Sequence, residues 1–364
     1  MSTKPLKGAL IGAGNVTLFH LQAWERIPQA SIVAIADPDL DKARTRAGEF
    51  GIDPGRVFTS LSDLLQAEEG LDFVDIATPP HAHYEPTKLA AAHGLHILCQ
   101  KPFALSLAEA RAMIKACQHA GVVLGINENW RWRPWYRAIR SMISQGKIGR
   151  PIYARFFAHS SAWLPTRVRS PNHRLHGMKQ VIFLEWGIHL VDVMRFLFGE
   201  PDSVYARMAG LSPELIGEDR AVVMLAFGEL TALIDISWSS FAPWGAANRI
   251  RHNVEDVRIE GNAGTIVLFP DPSKGDLIRL TTAQEEWERP AYDCEPFEAY
   301  LRSYVAAQSH FVECLLSGNT PETTGEDNLK TLAVTLAAYH SAEHNMVVRV
   351  QDYKETYADR DESG

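Results

Sequence analysis

The feature that most constrains this chain of 364 residues is the way it opens. An apolar run ending at Ile11 passes into Gly12-Ala13-Gly14-Asn15-Val16-Thr17. Helix-spaced Val16, Phe19, Ala23 and Ile27 follow, then a second apolar run from Ile32 to Ala36, closed by Asp37. Glycines at Gly12 and Gly14 let the backbone turn sharply and let a pyrophosphate approach the amides at a helix N-terminus. Thr17 stands where glycine or alanine is usual, so the helix is expected to pack slightly further from its strand. An acid about 20 residues beyond the turn accepts hydrogen bonds from adenosine ribose hydroxyls and repels a 2′-phosphate. Asp37 therefore favours NAD over NADP. Taken alone, Asp37 is equally a turn carboxylate before Pro38; the ordered set of strand, glycines, helix, strand and acid is what argues for a dinucleotide.

The alternation continues. Runs at Phe73 to Ala77, His96 to Cys99 and Val122 to Ile126 are separated by amphipathic stretches such as Tyr84 to His93 and Leu107 to Ala120. This is the pattern of a doubly wound parallel sheet with crossover helices. After Pro134 the pattern changes to alternating runs joined by turns: Ile152 to Ala158, Ala221 to Phe227, Thr231 to Trp238, and Val257 to Glu260 joined by Gly261-Asn262-Ala263-Gly264 to Thr265 to Phe269. A large, mainly antiparallel open sheet is expected there. Two C-terminal helices, about Phe297 to Leu316 and Glu326 to Glu343, complete an α/β protein. The expected division is a nucleotide-binding domain over 1–127, a second α/β domain over 128–350 and a mobile charged tail over 351–364.

Bulk properties exclude several classes. At this length one hydrophobic core usually stops growing, and 46% apolar residues suffice for two. A formal charge of -8 with interspersed signs leaves no basic stripe for a phosphate backbone, so nucleic acid is not an expected partner. Cys99, Cys117, Cys294 and Cys314 are too widely spaced for a zinc cluster or a secreted disulfide framework. No apolar run approaches the roughly 20 residues of a membrane span, and the opening lacks a signal-peptide pattern. A soluble, unprocessed, cytoplasmic protein with reduced thiols is expected.

The chemistry is expected beyond the carboxyl ends of the parallel strands, where open α/β sheets bind ligands. Two segments emerge there: Thr78-Pro79-Pro80-His81-Ala82-His83, and Cys99-Gln100-Lys101-Pro102-Phe103. Lys101 is either a solvated surface charge or a donor to a reacting oxygen, and Pro102 is expected to fix the chain behind it through a cis peptide. In the second domain, Glu185, His189 and Asp192 share a helical face if the helix begins near Glu185. That polar stripe is either catalytic or a hydrogen-bonded structural cluster. No H-E-x-x-H pattern accompanies it, so no metal is expected.

Together these motifs resemble the Gfo/Idh/MocA family of sugar and polyol dehydrogenases from about Leu6 to Val350, with counterparts of its G-x-G-x-x, A-T-P-x-x-x-H, E-K-P and D-x-G-x-H-x-x-D motifs in order. The resemblance implies a Rossmann domain, then an α/β domain whose open antiparallel sheet serves homodimer or homotetramer formation. It implies cofactor contacts from Gly12, Gly14, Asn15, Val16, Asp37, Thr78, Pro79, Pro80, His83, Gln100 and Lys101. Two departures stand out: Gln100 replaces the usual Glu, and Glu185 the usual Asp. Ile97 to Phe103, Glu128 to Trp132 and Asp327 to Ala333 further resemble D-apiose dehydrogenases, which oxidise a branched aldose to its lactone with NAD.

The expected reaction moves a hydride between a sugar or polyol hydroxyl and nicotinamide, with His189 accepting the hydroxyl proton, Lys101 stabilising the alkoxide and Glu185 orienting His189 or holding a substrate hydroxyl. Candidate substrate contacts are Glu128, Asn129, Trp163 and His176 beside Glu185 and His189. Asn172, Arg174 and Arg131 share those stretches, and the same residues suit a subunit interface. Trp130 and Trp132 are expected to pack between the domains. Two alternatives stay open: a keto-sugar or imine reductase using the same groups, and a noncatalytic NAD-binding sensor.

Overall fold

A computed structural model describes residues 4–160, 174–240, 255–271 and 273–357. These fall into two compact units, one of residues 4–129 with Leu301–Leu332, the other of Trp130–Tyr300 with Ala333–Thr356.

The first unit holds six parallel strands: β1 (Leu6–Ile11), β2 (Ala30–Ala36), β3 (Val57–Phe58), β4 (Phe73–Ile76), β5 (His96–Gln100) and β6 (Leu124–Asn127). Their spatial order is β3-β2-β1-β4-β5-β6, so the strand order reverses between β1 and β4 and opens a crevice at their carboxyl ends. The crossovers carry α1 (Thr17–Trp24), α2 (Leu40–Glu49), α3 (Leu61–Ala67), α4 (Tyr84–Ala92) and α5 (Leu107–Ala120). Their ends follow local chemistry. Ser106 accepts from the Glu109 amide, Glu109 accepts from the Leu105 amide, and Gly121 closes α5 in the left-handed region at φ 68. β3 is too short to read from the sequence.

Part of the unit comes from far along the chain. Phe311 packs with Trp24, Phe73, Leu98 and Val312 in one apolar cluster. Gly125 admits it, because a Cβ at that position would lie 2.7 Å from the Phe311 ring.

The second unit holds α6 (Pro134–Ser144), α7 (Ile188–Phe198) and a nine-stranded sheet. Its strands are β7 (Pro151–His159), β8 (Ser203–Ala209), β9 (Arg220–Phe227), β10 (Leu230–Ser237), β11 (Glu255–Gly261), β12 (Gly264–Asp271), β13 (Gly275–Thr282), β14 (Glu286–Pro290) and β15 (Val348–Arg349). The order is β14-β13-β12-β11-β7-β10-β9-β8-β15. Only the β7–β10 pairing is parallel, so the sheet is mainly antiparallel as expected. Alternation places Ala154, Phe156, Val223, Leu225, Ile234 and Ile259 on a buried face. On the other face Phe157, Val222, Leu233 and Val267 are only partly covered, and Met224 is 42% exposed.

The remaining helices are α8 (Pro296–Ser317), α9 (Gly325–His344) and α10 (Val350–Thr356). The last of these corrects the expected tail: the chain is helical to Thr356, and Tyr353 is buried because its ring packs against His340.

Candidate active site

The nucleotide end is shaped by main chain. Gly12 has φ 107, and a Cβ on it would lie 2.9 Å from the Ala77 carbonyl oxygen, so the turns after β1 and β4 touch there and only glycine fits. Gly14 and Asn15 are exposed, and a Cβ on Gly14 would meet nothing within 4 Å. The space above the turn is open. The amides of Gly14, Asn15 and Val16 donate to no protein group among the described residues, as at any uncapped helix start. Thr17 is buried, and its hydroxyl donates to the Gly14 carbonyl, fastening the turn from below. Asp37 Oδ2 accepts from the Ala13 amide at 2.7 Å and Oδ1 from the Asp39 amide at 2.8 Å. The carboxylate thus anchors the glycine turn while each oxygen keeps a second lone pair for a ribose hydroxyl. This open amide cradle with its anchored acid fits a dinucleotide.

Beyond β4, Thr78 and Pro79 lead into a 3-10 turn at Pro80–Ala82, with His81 exposed. His83 is fully enclosed. Its Nε2 donates to the Thr78 carbonyl at 2.8 Å and its Nδ1 lies 3.3 Å from the Phe103 carbonyl. Burial pushes its pKa down to about 4, so the ring is neutral and its single N–H ties it to the loop after β4 through the Thr78 carbonyl. The Lys101–Pro102 peptide is cis. Gln100 Oε1 accepts from the Lys101 amide at 2.6 Å.

In the second unit, the expectation of an α-helix beginning near Glu185 is corrected. Phe183–Gly187 form a π-helical turn, and α7 begins at Ile188. The wider turn breaks the simple four-residue stacking of Glu185 under His189, and such turns gather at functional positions. Gly187 is required, since a Cβ there would lie 2.1 Å from the Phe183 ring. The start of this turn is capped by side chains. Glu218 accepts from the Val181 and Phe183 amides, while Tyr339 accepts from the Leu184 amide and donates to Glu218. Burial raises the pKa of both Glu218 and Tyr339.

His189 is 5% exposed and stacks on Trp130, with ring centres 4.5 Å apart and planes 1° from parallel. The Arg133 guanidinium lies 3.7 Å from the centre of the same indole. Two groups that close cannot share a face, so Trp130 is sandwiched. The expectation that Trp130 simply packs between domains is thereby replaced: it is the platform that sets the imidazole plane. Arg133 is held in turn by buried Glu255, which also accepts from Tyr136. Asp192 is fully buried and bidentate to Arg131, Nε to Oδ2 at 2.7 Å, so this third member of the polar stripe is structural.

Glu128 is buried at the end of the first unit, and buried Asn129 donates to Ser303 at 2.7 Å. His176 is half-buried on a 3-10 turn at Arg174–Gly177. Trp163 and Asn172 lie outside the described residues. Among the described residues no group of three His, Cys, Asp or Glu side chains could hold a metal ion, and no helix is long and apolar enough to cross a membrane. Sequence reasoning missed Trp130 as a platform, the Glu218–Tyr339 cap, and the buried His20 and Asp75. The last two left a signal: Asp75 is a charge inside the buried run Phe73–Ile76, which demands a partner.

Comparison with known proteins agrees with this geometry. Residues 6–128 match the Gfo/Idh/MocA oxidoreductase family's NAD-binding Rossmann fold, and residues 140–350 its C-terminal alpha/beta domain. D-apiose dehydrogenase of Paraburkholderia graminis is 37% identical over 96% of this chain and 91% of its own. The Rhizobium rhizogenes D-apiose dehydrogenase is 32% identical over 96% and 99%. A crystal structure of an oxidoreductase from Agrobacterium radiobacter, in complex with NAD+, L-tartaric acid and magnesium, superposes with TM-score 0.86 at 32% identity, covering 96% of this chain and 99% of that one. Two family domains in order, and relatives at this identity over nearly the whole length, make this chain a member of the Gfo/Idh/MocA family of NAD-binding oxidoreductases.

Proposed function

We propose that this enzyme oxidises a sugar or polyol hydroxyl with NAD, and that its substrate is a branched aldose of the D-apiose type, converted to the lactone. The observation that carries the reading is the imidazole of His189, held flat on Trp130 in one unit, in a chain whose other unit has a dinucleotide turn after β1 and presents Lys101 directly after β5. The whole-length similarity to two D-apiose dehydrogenases supports the choice of sugar.

NAD, when bound, supplies the hydride acceptor. Gly12, Gly14, Asn15, Val16 and Asp37 would hold its pyrophosphate and ribose, with Thr78, Pro79, Pro80 and Gln100 along the rest of its length; His83 contributes by bracing the Thr78 loop. Neutral His189 takes the proton of the substrate hydroxyl, and Lys101 donates a hydrogen bond to the oxygen as its charge develops. Glu185 holds a neighbouring hydroxyl or His189 itself. Glu128, Asn129, Trp163 and His176 complete the substrate contacts. The same groups run backwards as a keto-sugar reductase, and a 26% identical relative from Ensifer adhaerens is a 1,5-anhydro-D-fructose reductase.

We assign nucleotide binding to 1–127, and substrate binding and oligomerisation to 128–350. The half-covered face bearing Phe157, Leu233, Val222, Val267 and Met224 suits a homodimer or homotetramer, which light scattering would reveal as a multiple of 40.6 kDa. The unbridged thiols of Cys99, Cys117 and Cys314 suit the cytoplasm.

The test is a screen of D-apiose, linear aldoses and inositols with NAD and NADP in parallel, read as reduced nicotinamide. The expected result is turnover of an aldose, D-apiose above all, with NAD preferred. Tight NAD binding with no turnover of any sugar or polyol would favour the sensor reading instead.

A further inference from the structure

Behind Lys101 lies a buried chain of polar groups that the reaction above does not use. Gln100 ends β5, 6% exposed. Because the Lys101 N–H needs an acceptor and takes Gln100 Oε1, the amide nitrogen of Gln100 points inward, 3.0 Å from His20 Nε2. His20, on α1, is fully buried, and its Nδ1 lies 2.8 Å from Oδ2 of fully buried Asp75 in β4. Asp75 also accepts from Trp24 Nε1 at 2.7 Å. Asn127, at the end of β6, brings its amide nitrogen to 3.2 Å from His20 Nε2.

The Asp75 and Gln100 contacts assign the ring. A carboxylate can only accept, so His20 Nδ1 carries the proton. Gln100 is oriented by the Lys101 amide, so it turns its amide donor to His20 Nε2, which offers a lone pair. Asn127 takes no part in this assignment, because its amide nitrogen lies 3.2 Å from Nε2 and 3.4 Å from Nδ1 and its Oδ1 meets no protein group. A glutamate at position 100 would set an acceptor against that lone pair, and the network would need one more proton to close. Gln100 is therefore matched to a neutral His20. The titratable groups facing His20 among the described residues are Asp75 and Tyr304 of α8, whose ring centre lies 5.5 Å away.

We propose that His20 is a positioning residue for Lys101: clamped in its Nδ1–H form by Asp75, it fixes the Gln100 amide, which fixes the main chain of the lysine at the sheet edge. The inference rests on the catalytic reading of Lys101. It adds two residues remote from the substrate that set the reactivity of one that touches it.

Ring ¹⁵N NMR of histidine-labelled full-length protein, with the His20 signals identified by their loss in His20→Asn, reads the tautomer directly. The expected wild-type result at neutral pH is a proton on Nδ1 and a bare Nε2. Gln100→Glu is expected to place a proton on Nε2 as well, because its carboxylate turns an acceptor to that nitrogen, and to lower kcat severalfold. Asp75→Asn should invert the ring to Nε2–H and lower kcat about tenfold or more, since the Lys101 amide loses its acceptor. A wild-type His20 with its proton on Nε2, or a Gln100→Glu variant whose Nε2 stays bare, would overturn the clamp whatever Lys101 does. Expected NMR results with an unchanged kcat in both variants would overturn its link to Lys101. Failure of Lys101→Met to slow turnover would instead strike the catalytic reading itself.

Discussion

The two units solve the placement of functional groups in different ways. On the nucleotide side the working parts are backbone amides and a carboxylate close in sequence, and glycines decide the geometry: Gly12 through its φ of 107 and contact with Ala77, Gly14 through open space. On the proposed substrate side the working parts are side chains, most of them held by others far along the chain. His189 lies on Trp130, Trp130 against Arg133, Arg133 on Glu255, and the turn before α7 hangs on Glu218 and Tyr339. A turn made of backbone can be written in a few residues. An imidazole held in one plane requires partners from several elements, and on the proposed reading changing any of them is expected to alter chemistry before it alters nucleotide affinity.

That contrast can be broken by experiment. The largest effect is expected on the substrate side, where His189→Ala should lower kcat by about 10² to 10⁴ and leave NAD affinity unchanged, read by steady-state rates and isothermal titration. Glu255→Gln should leave the buried Arg133 uncompensated and cost about 3 to 5 kcal/mol of stability by urea denaturation, with the Trp130 platform loosened.

The next effect belongs to the nucleotide side and to pH. The His83 pKa, lowered from 6.5 to about 4 by burial, means that the unfolded state binds the extra proton first. The stability this neutral ring contributes is full above about pH 6.5 and is lost as pH falls toward 4, by about 3 kcal/mol. His83→Gln should remove that dependence, which paired denaturation curves at neutral and acid pH would show.

The smallest effect separates fold from function most sharply. Gly14→Ala meets no protein atom within 4 Å, so stability should hold while NAD affinity weakens about tenfold, as the methyl group enters the cradle. Unchanged affinity would mean that the dinucleotide does not approach this turn.

The same contrast explains what the sequence made legible. The β1 to β2 unit, its glycines and Asp37 could be read because each signal is local and the periodicities are distinct. Helix α5 is legible from Leu107 to Ala120 because its apolar residues recur at helical spacing, and the structure shows Ser106 and Gly121 capping its ends. The short β3, the edge strand β14 with its exposed polar residues, and the helical turn around Tyr353 carry too little hydrophobic pattern to detect. The polar stripe of Glu185, His189 and Asp192 was visible, but not its division of labour, since neither the π-helical turn nor the Arg131–Asp192 pair follows from spacing. Glu218 and Tyr339 gave no sequence signal because their partners are the main chain of a distant segment.

The central claim is that Lys101 and His189, contributed by different units, serve one chemical step. Turnover of Lys101→Met, His189→Ala and the double variant, with D-apiose and NAD, tests it most directly. Residues acting as one device give non-additive losses, so the double variant should be hardly slower than the worse single one. Losses that multiply, as for two independent contributions, would contradict the account.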